Sequence, residues 1–427
     1  MSQPTSRRFA AISVAILAVF VLLFGPISRY VKGDNAAMKT SPAMQLASLG
    51  MKFNGSASCK GSGCHNKDGD DTPPKEPLHE LTIWKSQDKH AKAFETLTKK
   101  DSTDIGAKLK IADVKTSDKC LSCHALNVDK GLQGSTYSIK EGNTCESCHG
   151  PSEKWLKVHA DSKWQNDERT KMDHATLLKT FGLYDTRPLI VRAELCASCH
   201  LSIDPELVTA GHPVPSFEMA YYSDIEPKHW SETHFKGPDG FINAKIWMAG
   251  QDVCLREAAE QLSSRVKAKA PTDAIASAWQ QTLAHASVFQ PAADVAGLDA
   301  SLKSHVDALS KLKPEDGDKI SAEADAIAKI CEDGKAKIDA WAPDAASSTK
   351  LLQSVASLTG MATSYGQFGI DQQSMGISSL YEAVATGNNK KDEATDKLIT
   401  DKLFPENPPK PEDFDKNVAA VKDKLPK

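Results

Sequence analysis

The sequence predicts a mainly α fold in two parts: short helices and long loops over residues 56–250, then an α-helical bundle over 251–404. Three observations lead there. Eight of the ten cysteines fall between Cys59 and Cys199, leaving only Cys254 and Cys331 in the second half. From Gln251 the composition shifts to Ala, Lys, Asp and Ser, with apolar residues at helical spacing. Before it, turn signals such as Asp71-Thr-Pro-Pro74 are dense and few alternating runs mark strands. At 40% hydrophobic residues, the 427-residue chain has enough apolar material for a core, which excludes wholesale disorder. A net charge of −4 argues against nucleic-acid binding through bulk positive charge. Ten cysteines in this length are too sparse for a disulfide scaffold.

The first element is an uncharged apolar run from Phe9 to Ser28. Twenty residues at 1.5 Å rise span about 30 Å, the hydrocarbon thickness of a bilayer. The alternative of a buried core helix is disfavoured by this length. Gly25, Pro26, Arg29 and Lys32 follow the run, and the first small-residue cleavage site, near Ala36 and Ala37, is late. The reading is therefore an uncleaved transmembrane anchor over 1–32, in preference to a cleaved signal. Residues 33–55 are small and polar and read as a linker.

Three C-x-x-C-H motifs follow: Cys120–Cys123–His124, Cys145–Cys148–His149 and Cys196–Cys199–His200. A fourth, Cys59–Cys64–His65, has four residues between its cysteines. The spacing is that of covalent haem c attachment, with two thioethers to the porphyrin vinyls and the next His on the iron. Gly61 and Gly63 let the longer insert loop out. Zinc held by cysteine pairs and redox-active dithiols are the alternatives, but neither requires His after the second Cys. With 13 His in 427 residues, four such coincidences would arise by chance on the order of once in a million. Cys254 and Cys331 are followed by Leu255 and Glu332. The cofactor expected is four haem c groups. Because haem c is attached outside the cytoplasm, the expected location is the periplasmic side of the membrane.

Other landmarks accompany the motifs. Trp84 precedes His90-Ala-Lys-Ala-Phe94, and Gly142-Asn-Thr leads into Cys145-Glu-Ser-Cys148-His149-Gly150-Pro151, with Trp155 and His159 after it. Gly211-His212-Pro213, Phe217-Glu218 and His229-Trp230 come later, then Trp247-Met-Ala-Gly250-Gln251. In this order the segments resemble the multihaem cytochrome c-554 family over about residues 55–250. The resemblance implies a multihaem cytochrome c core and electron transfer. Long relatives often carry a fifth haem motif after W-x-x-G-Q; here none follows, so the C-terminal part reads as a haem-free extension.

Nine histidines remain beyond the four proximal ones. A second imidazole makes a low-spin, six-coordinate iron suited to electron transfer. The resemblance assigns His90 as distal ligand to the third haem and His159 to the first. His212 is the choice for the fourth, with His229 second. The second haem has an open face in short family members; here its state is undecided, with His79, His174 and His229 as the candidates to fill it. His234, His285 and His305 read as structural. Met172, Met219 and Met248 have the chemistry to ligate iron, but methionine more often simply packs.

In the bundle, Leu298, Leu302, Val306 and Leu309 mark one helix face, as do Leu351, Leu352, Val355 and Leu358, and Ile320, Ile327 and Cys331. Several antiparallel helices are expected, with Cys254 and Cys331 as a pair that an oxidising compartment would permit to bridge. The stretch from Gln251 to Lys427 carries 21 basic and 27 acidic residues. That face is solvation or a dock for a basic partner. Residues 405–427 read as a Pro- and charge-rich tail with a short helix near Asp415 to Leu425.

The leading expectation is a membrane-anchored tetrahaem electron carrier working between a membrane donor and a soluble acceptor cytochrome, with no nucleic-acid role. The alternatives are a haem enzyme acting on a small nitrogen or sulfur compound at an open iron, and a haem-wire subunit docked into a larger complex through the helical domain. No C-x-x-C-K motif marks a catalytic haem.

Overall fold

A computed structural model describes residues 46–61, 64–66, 78–201, 203–230, 232, 239–298, 300–407 and 409–427. The apolar run 9–28, the first part of the linker and His234 lie outside the described residues. Among the described residues, no helix is long and apolar enough to cross a membrane.

The chain is mainly α, as expected. Among the described residues no strand forms, and an isolated bridge joins Phe53 to Gln133. The first half holds α1 (Glu80–Gln87), α2 (Ala93–Thr96), α3 (Lys100–Lys108), α4 (Asp118–His124), α5 (Cys145–His149), α6 (Trp155–Val158), α7 (His174–Phe181), α8 (Leu189–His200), α9 (Pro205–Thr209) and α10 (Met219–Ile225). The bundle holds α11 (Ile242–Lys267), α12 (Thr272–Ala296), α13 (Ser301–Leu309), α14 (Gly317–Ala340), α15 (Ala345–Ala356), α16 (Met361–Gly387), α17 (Glu393–Leu403) and α18 (Pro411–Lys422).

Local chemistry sets the helix ends. Asp173 accepts the Thr176 N–H to start α7, and Gly182 ends it in the left-handed region. Pro205 and Pro411 occupy first-turn positions of α9 and α18, where a missing N–H costs nothing. Helix α1 stops at Asp88, which is extended, and the chain becomes α-helical again at α2. No Gly or Pro signals that break. The Asp88 carboxylate binds the His90 N–H at 2.8 Å and its ring Nδ1 at 3.0 Å, so the chain turns around its own side chain.

Packing differs between the halves. The first half contains three small clusters, around Phe53 and Leu126, Leu97 and Leu121, and Trp155 and Leu177. Leu46 and Phe53, in the stretch read as linker, are buried in the first of them. The bundle forms one large core, and that core extends to Leu189, Ala193, Ala197 and Leu201 on and just after α8. Helix α11 crosses the expected 250/251 boundary without interruption. Polar contacts reinforce the junction: Glu194 on α8 accepts from Arg256 and from Lys335, each at 2.7 Å. Cys254 and Cys331 are both buried free thiols. The tail is not extended throughout; α18 begins at Pro411 and buries Phe414, Val418 and Val421.

Candidate cofactor site

The four motifs sit at the ends of short helices. Helices α4, α5 and α8 each close on a motif histidine, which puts the two cysteines on neighbouring turns with the imidazole just beyond. At the first motif, Cys64 N–H closes a turn on the Gly61 carbonyl at 3.0 Å. A Cβ at Gly61 would lie 2.6 Å from Cys64 Sγ, so only glycine lets the sulfur fold back over the insert.

Motifs distant in sequence converge. The Cys59 thiol is pulled down to about 7, most strongly by the influence of the Cys145 side chain. Cys123 and Cys199 form a second such pair, and Cys123 is likewise lowered to about 7. Cys148 and His149 present accessible surface. Yet protein surrounds them so densely that burial pushes the Cys148 thiol up and holds His149 down at about 4. His200 is similarly held at about 4 by burial. Imidazoles kept neutral retain the lone pair a metal needs.

The histidine geometry fits iron. Ring centres are 5.9 Å apart for His65 and His159, 6.0 Å for His90 and His200, and 6.2 Å for His124 and His212. An imidazole nitrogen bonds a transition metal at about 2.0–2.1 Å, so two imidazoles on opposite sides of one ion have centres about 6 Å apart. Each pair joins one motif histidine to one histidine from elsewhere in the chain. Nδ1 is already engaged in five of the six rings. His65 donates to Glu80 at 2.8 Å, His159 to Trp155 O at 3.3 Å, His124 to Ala93 O at 3.1 Å, His212 to Pro213 O at 2.7 Å, and His90 to Asp88 at 3.0 Å. That fixes the tautomer and leaves Nε2 free for iron.

His159 faces His65, as the resemblance implies, but the other two pairings differ from it. His90 faces His200 rather than His149, and His212 faces His124 rather than His200. The His90 backbone does sit at the third motif, where its carbonyl accepts the Asn143 N–H at 3.0 Å. The ring is turned away by Asp88 and by Glu226, whose Oε1 lies 3.5 Å from Nδ1. His229 exerts the largest electrostatic influence of any imidazole on His149. Its Nδ1 donates to Pro227 O at 3.0 Å. Ligand atoms of Asp88, Glu226 and His229 lie within 4.8 Å of one another, but both carboxylates are engaged by His90. His174 packs on Tyr184 at 4.6 Å, and both His79 and His174 bury a partnerless Nδ1. His285 lies in the bundle core and His305 pairs with Glu323 at 2.7 Å.

Several family landmarks acquire physical roles. Trp84 Nε1 donates to Asn143 O at 3.0 Å, and Asn143 Nδ2 donates to Cys123 O at 2.7 Å, so this segment ties the second motif to the third. Glu146, inside the third motif, was not singled out in the sequence. It is buried and accepts N–H groups from Asn54 at 2.9 Å, Gly55 at 2.7 Å and Ser152 at 2.8 Å. An acidic residue between two motif cysteines is the only local signal of it. Gly150, with φ 76°, approaches so closely that a Cβ would lie 2.3 Å from Gly182 O.

Residues 58–150 match the family described as cytochrome c554 and c-prime. That stretch contains the first three motifs and His90. No curated protein and no solved structure matches the chain. The family match supports a c-type cytochrome electron carrier with covalently bound haem c.

Proposed function

We propose that the chain is a tetrahaem electron carrier, anchored to the periplasmic side of the membrane by residues 9–28. The observation that carries this reading is the set of three imidazole pairs at 5.9–6.2 Å, each including a motif histidine. Haem c, when bound, supplies the one-electron iron couple. The chain's residues hold it covalently through Cys59/Cys64, Cys120/Cys123, Cys145/Cys148 and Cys196/Cys199. His65, His124, His149 and His200 serve as proximal ligands, with His159, His212 and His90 opposite His65, His124 and His200. His229 takes the remaining place opposite His149. The mutual influence of Cys59 and Cys145, and of Cys123 and Cys199, is in keeping with motifs that lie near one another. Partners are a membrane donor and a soluble acceptor.

A haem enzyme is the second reading, and one observation localises it. Among the described residues no imidazole forms a 6 Å ring pair with His149, so the iron there is the one with scope for an open face. Low-temperature EPR of the oxidised holoprotein, with mass spectrometry, tests both. Four covalent haems with four low-spin irons support the carrier. Four haems with one high-spin iron, unchanged in His229→Ala, support the enzyme. Fewer than four haems would remove the tetrahaem assignment. His90→Ala, His159→Ala and His212→Ala should each convert one low-spin iron to high-spin.

A further inference from the structure

The six paired imidazoles do not have equivalent surroundings. His159 and His212 donate Nδ1–H to backbone carbonyls, and His124 meets the Ala93 carbonyl and the Thr96 hydroxyl at 2.8 Å. All of these acceptors are neutral. His65 has one carboxylate, Glu80. His90 is the ring with two, Asp88 at 3.0 Å and Glu226 at 3.5 Å. Asp88 is 2% exposed, so water screens it little. Its position is fixed by the helix break, since it ends α1 and also accepts the His90 backbone N–H. Glu226 is delivered by α10, whose Tyr222 and preceding Phe217 pack on the facing His200 at 5.6 and 5.1 Å. Both carboxylates are therefore held by structure around the His90–His200 pair, with Arg192 engaged elsewhere by Glu232 at 2.6 Å.

We propose that Asp88 and Glu226 are positioning residues that lower the reduction potential of the haem held between His90 and His200. The inference rests on the ligand assignment above. A carboxylate accepting from Nδ1–H makes the imidazole a stronger electron donor. Ferric iron carries one more positive charge than ferrous iron, so a stronger donor and two nearby negative charges favour the oxidised form. No covalent step is involved: one electron enters or leaves the iron, and the Nδ1 proton stays in its hydrogen bond.

The test is potentiometric titration of the full-length holoprotein, followed optically and by EPR, for wild type, Asp88→Asn, Glu226→Gln and the double variant. Asparagine keeps an acceptor oxygen and removes the charge. Replacing such an outer partner typically costs about 10–100-fold in metal affinity or activity, and the potential is expected to respond at the low end of that range. The expected result is one component moving to higher potential by about tenfold in its one-electron equilibrium, about 59 mV, in Asp88→Asn. The double variant should move further, the haem at Cys145/Cys148 should move less, because its proposed ligand His229 lies within 4.8 Å of the same carboxylates, and the haems at Cys59/Cys64 and Cys120/Cys123 should stay. Asp88→Glu, which restores the charge, should return the potential most of the way. Glu226→Gln alone keeps the backbone bond of Asp88 intact, so it reads the charge effect even where Asp88→Asn fails to load haem. Full haem content and low-spin count with no component moved in either Glu226→Gln or the double variant would overturn the proposal. Failure of the ligand assignment looks different: His90→Ala would then leave every iron low-spin.

Discussion

Glu146 does more at one position than the neighbouring motif residues do at several. Its carboxylate is the acceptor for three backbone N–H groups, two of them just upstream of Cys59. Removing it strands those donors in a buried setting, at about 1–3 kcal/mol for each one that water cannot reach. Glu146→Ala should therefore lower the thermal midpoint clearly and reduce haem content at Cys59/Cys64 first, measured by peptide mass mapping. A second buried carboxylate acts through pH. Asp252, on α11, lies beside the Cys331 thiol with Arg256, Lys335 and Glu332 around it, and burial raises it to about 7. Unfolded, it titrates near 3.8. The folded state thus holds the proton more tightly, and its contribution to stability, full below about pH 4, is lost as pH rises through 7. Asp252→Asn should raise the thermal midpoint at pH 8 and leave it nearly unchanged at pH 4. An equal gain at both values would exclude burial of the charge as the cause. What the sequence discloses at this scale is what is local. Cys120, Cys123 and His124 are adjacent in the chain, so their chemistry is legible by spacing. Partners such as His65 and His159 are separated by six helices, α1 to α6, two of which carry motifs, and only the assembled fold decides who faces whom.

Helices show the same division. The apolar stripe Leu351, Leu352 and Val355 is legible and forms α15. The stripe beginning at Leu298 is legible too, but α13 starts only at Ser301, while Leu298 instead fills the space over Gly334 of α14. Helix boundaries follow from tertiary contacts of this kind, as does the break at Asp88. At the C-terminus, the short helix expected near Asp415 to Leu425 is present but starts earlier, at Pro411: α18 presents Phe414, Val418 and Val421 at spacings of four and three to the bundle. Phe414 is fully buried. Phe414→Ala should cost about 3–5 kcal/mol of bundle stability, visible as a lower denaturant midpoint with unchanged haem spectra. A midpoint shift under 1 kcal/mol would mean that α18 is only loosely attached.

On the scale of the molecule, the two halves are not separable units. The stripe Leu189, Ala193 and Ala197 on the helix that carries Cys196, Cys199 and His200 is part of the bundle core. Arg256 and Lys335 reach across from α11 and α14 to Glu194 on that same helix. Ending the chain at residue 241 would expose the stripe and remove both cations. The expected product has reduced soluble yield and less than full haem at Cys196/Cys199, read by size-exclusion chromatography and haem stoichiometry. A soluble four-haem fragment with the full-length spectrum would show that the bundle only spaces or docks. Sequence periodicity identifies each helix in this region, but not that α8 belongs to the bundle, because a four-residue repeat of Ala and Leu within a cysteine motif carries two meanings at once.

The shared core also orders events in time. A chain emerging from its N-terminus offers the fourth cysteine pair well before α14 exists to cover α8. About 140 residues separate His200 from Ala340, so in export from the N-terminus the fourth pair leads the end of α14 by that length of chain. During that interval the segment around Cys196 and Cys199 lacks its packing partner and remains open to the attachment machinery. Once α11 and α14 close over it, access ends. On this order of events the bundle would close over the fourth pair of thiols last.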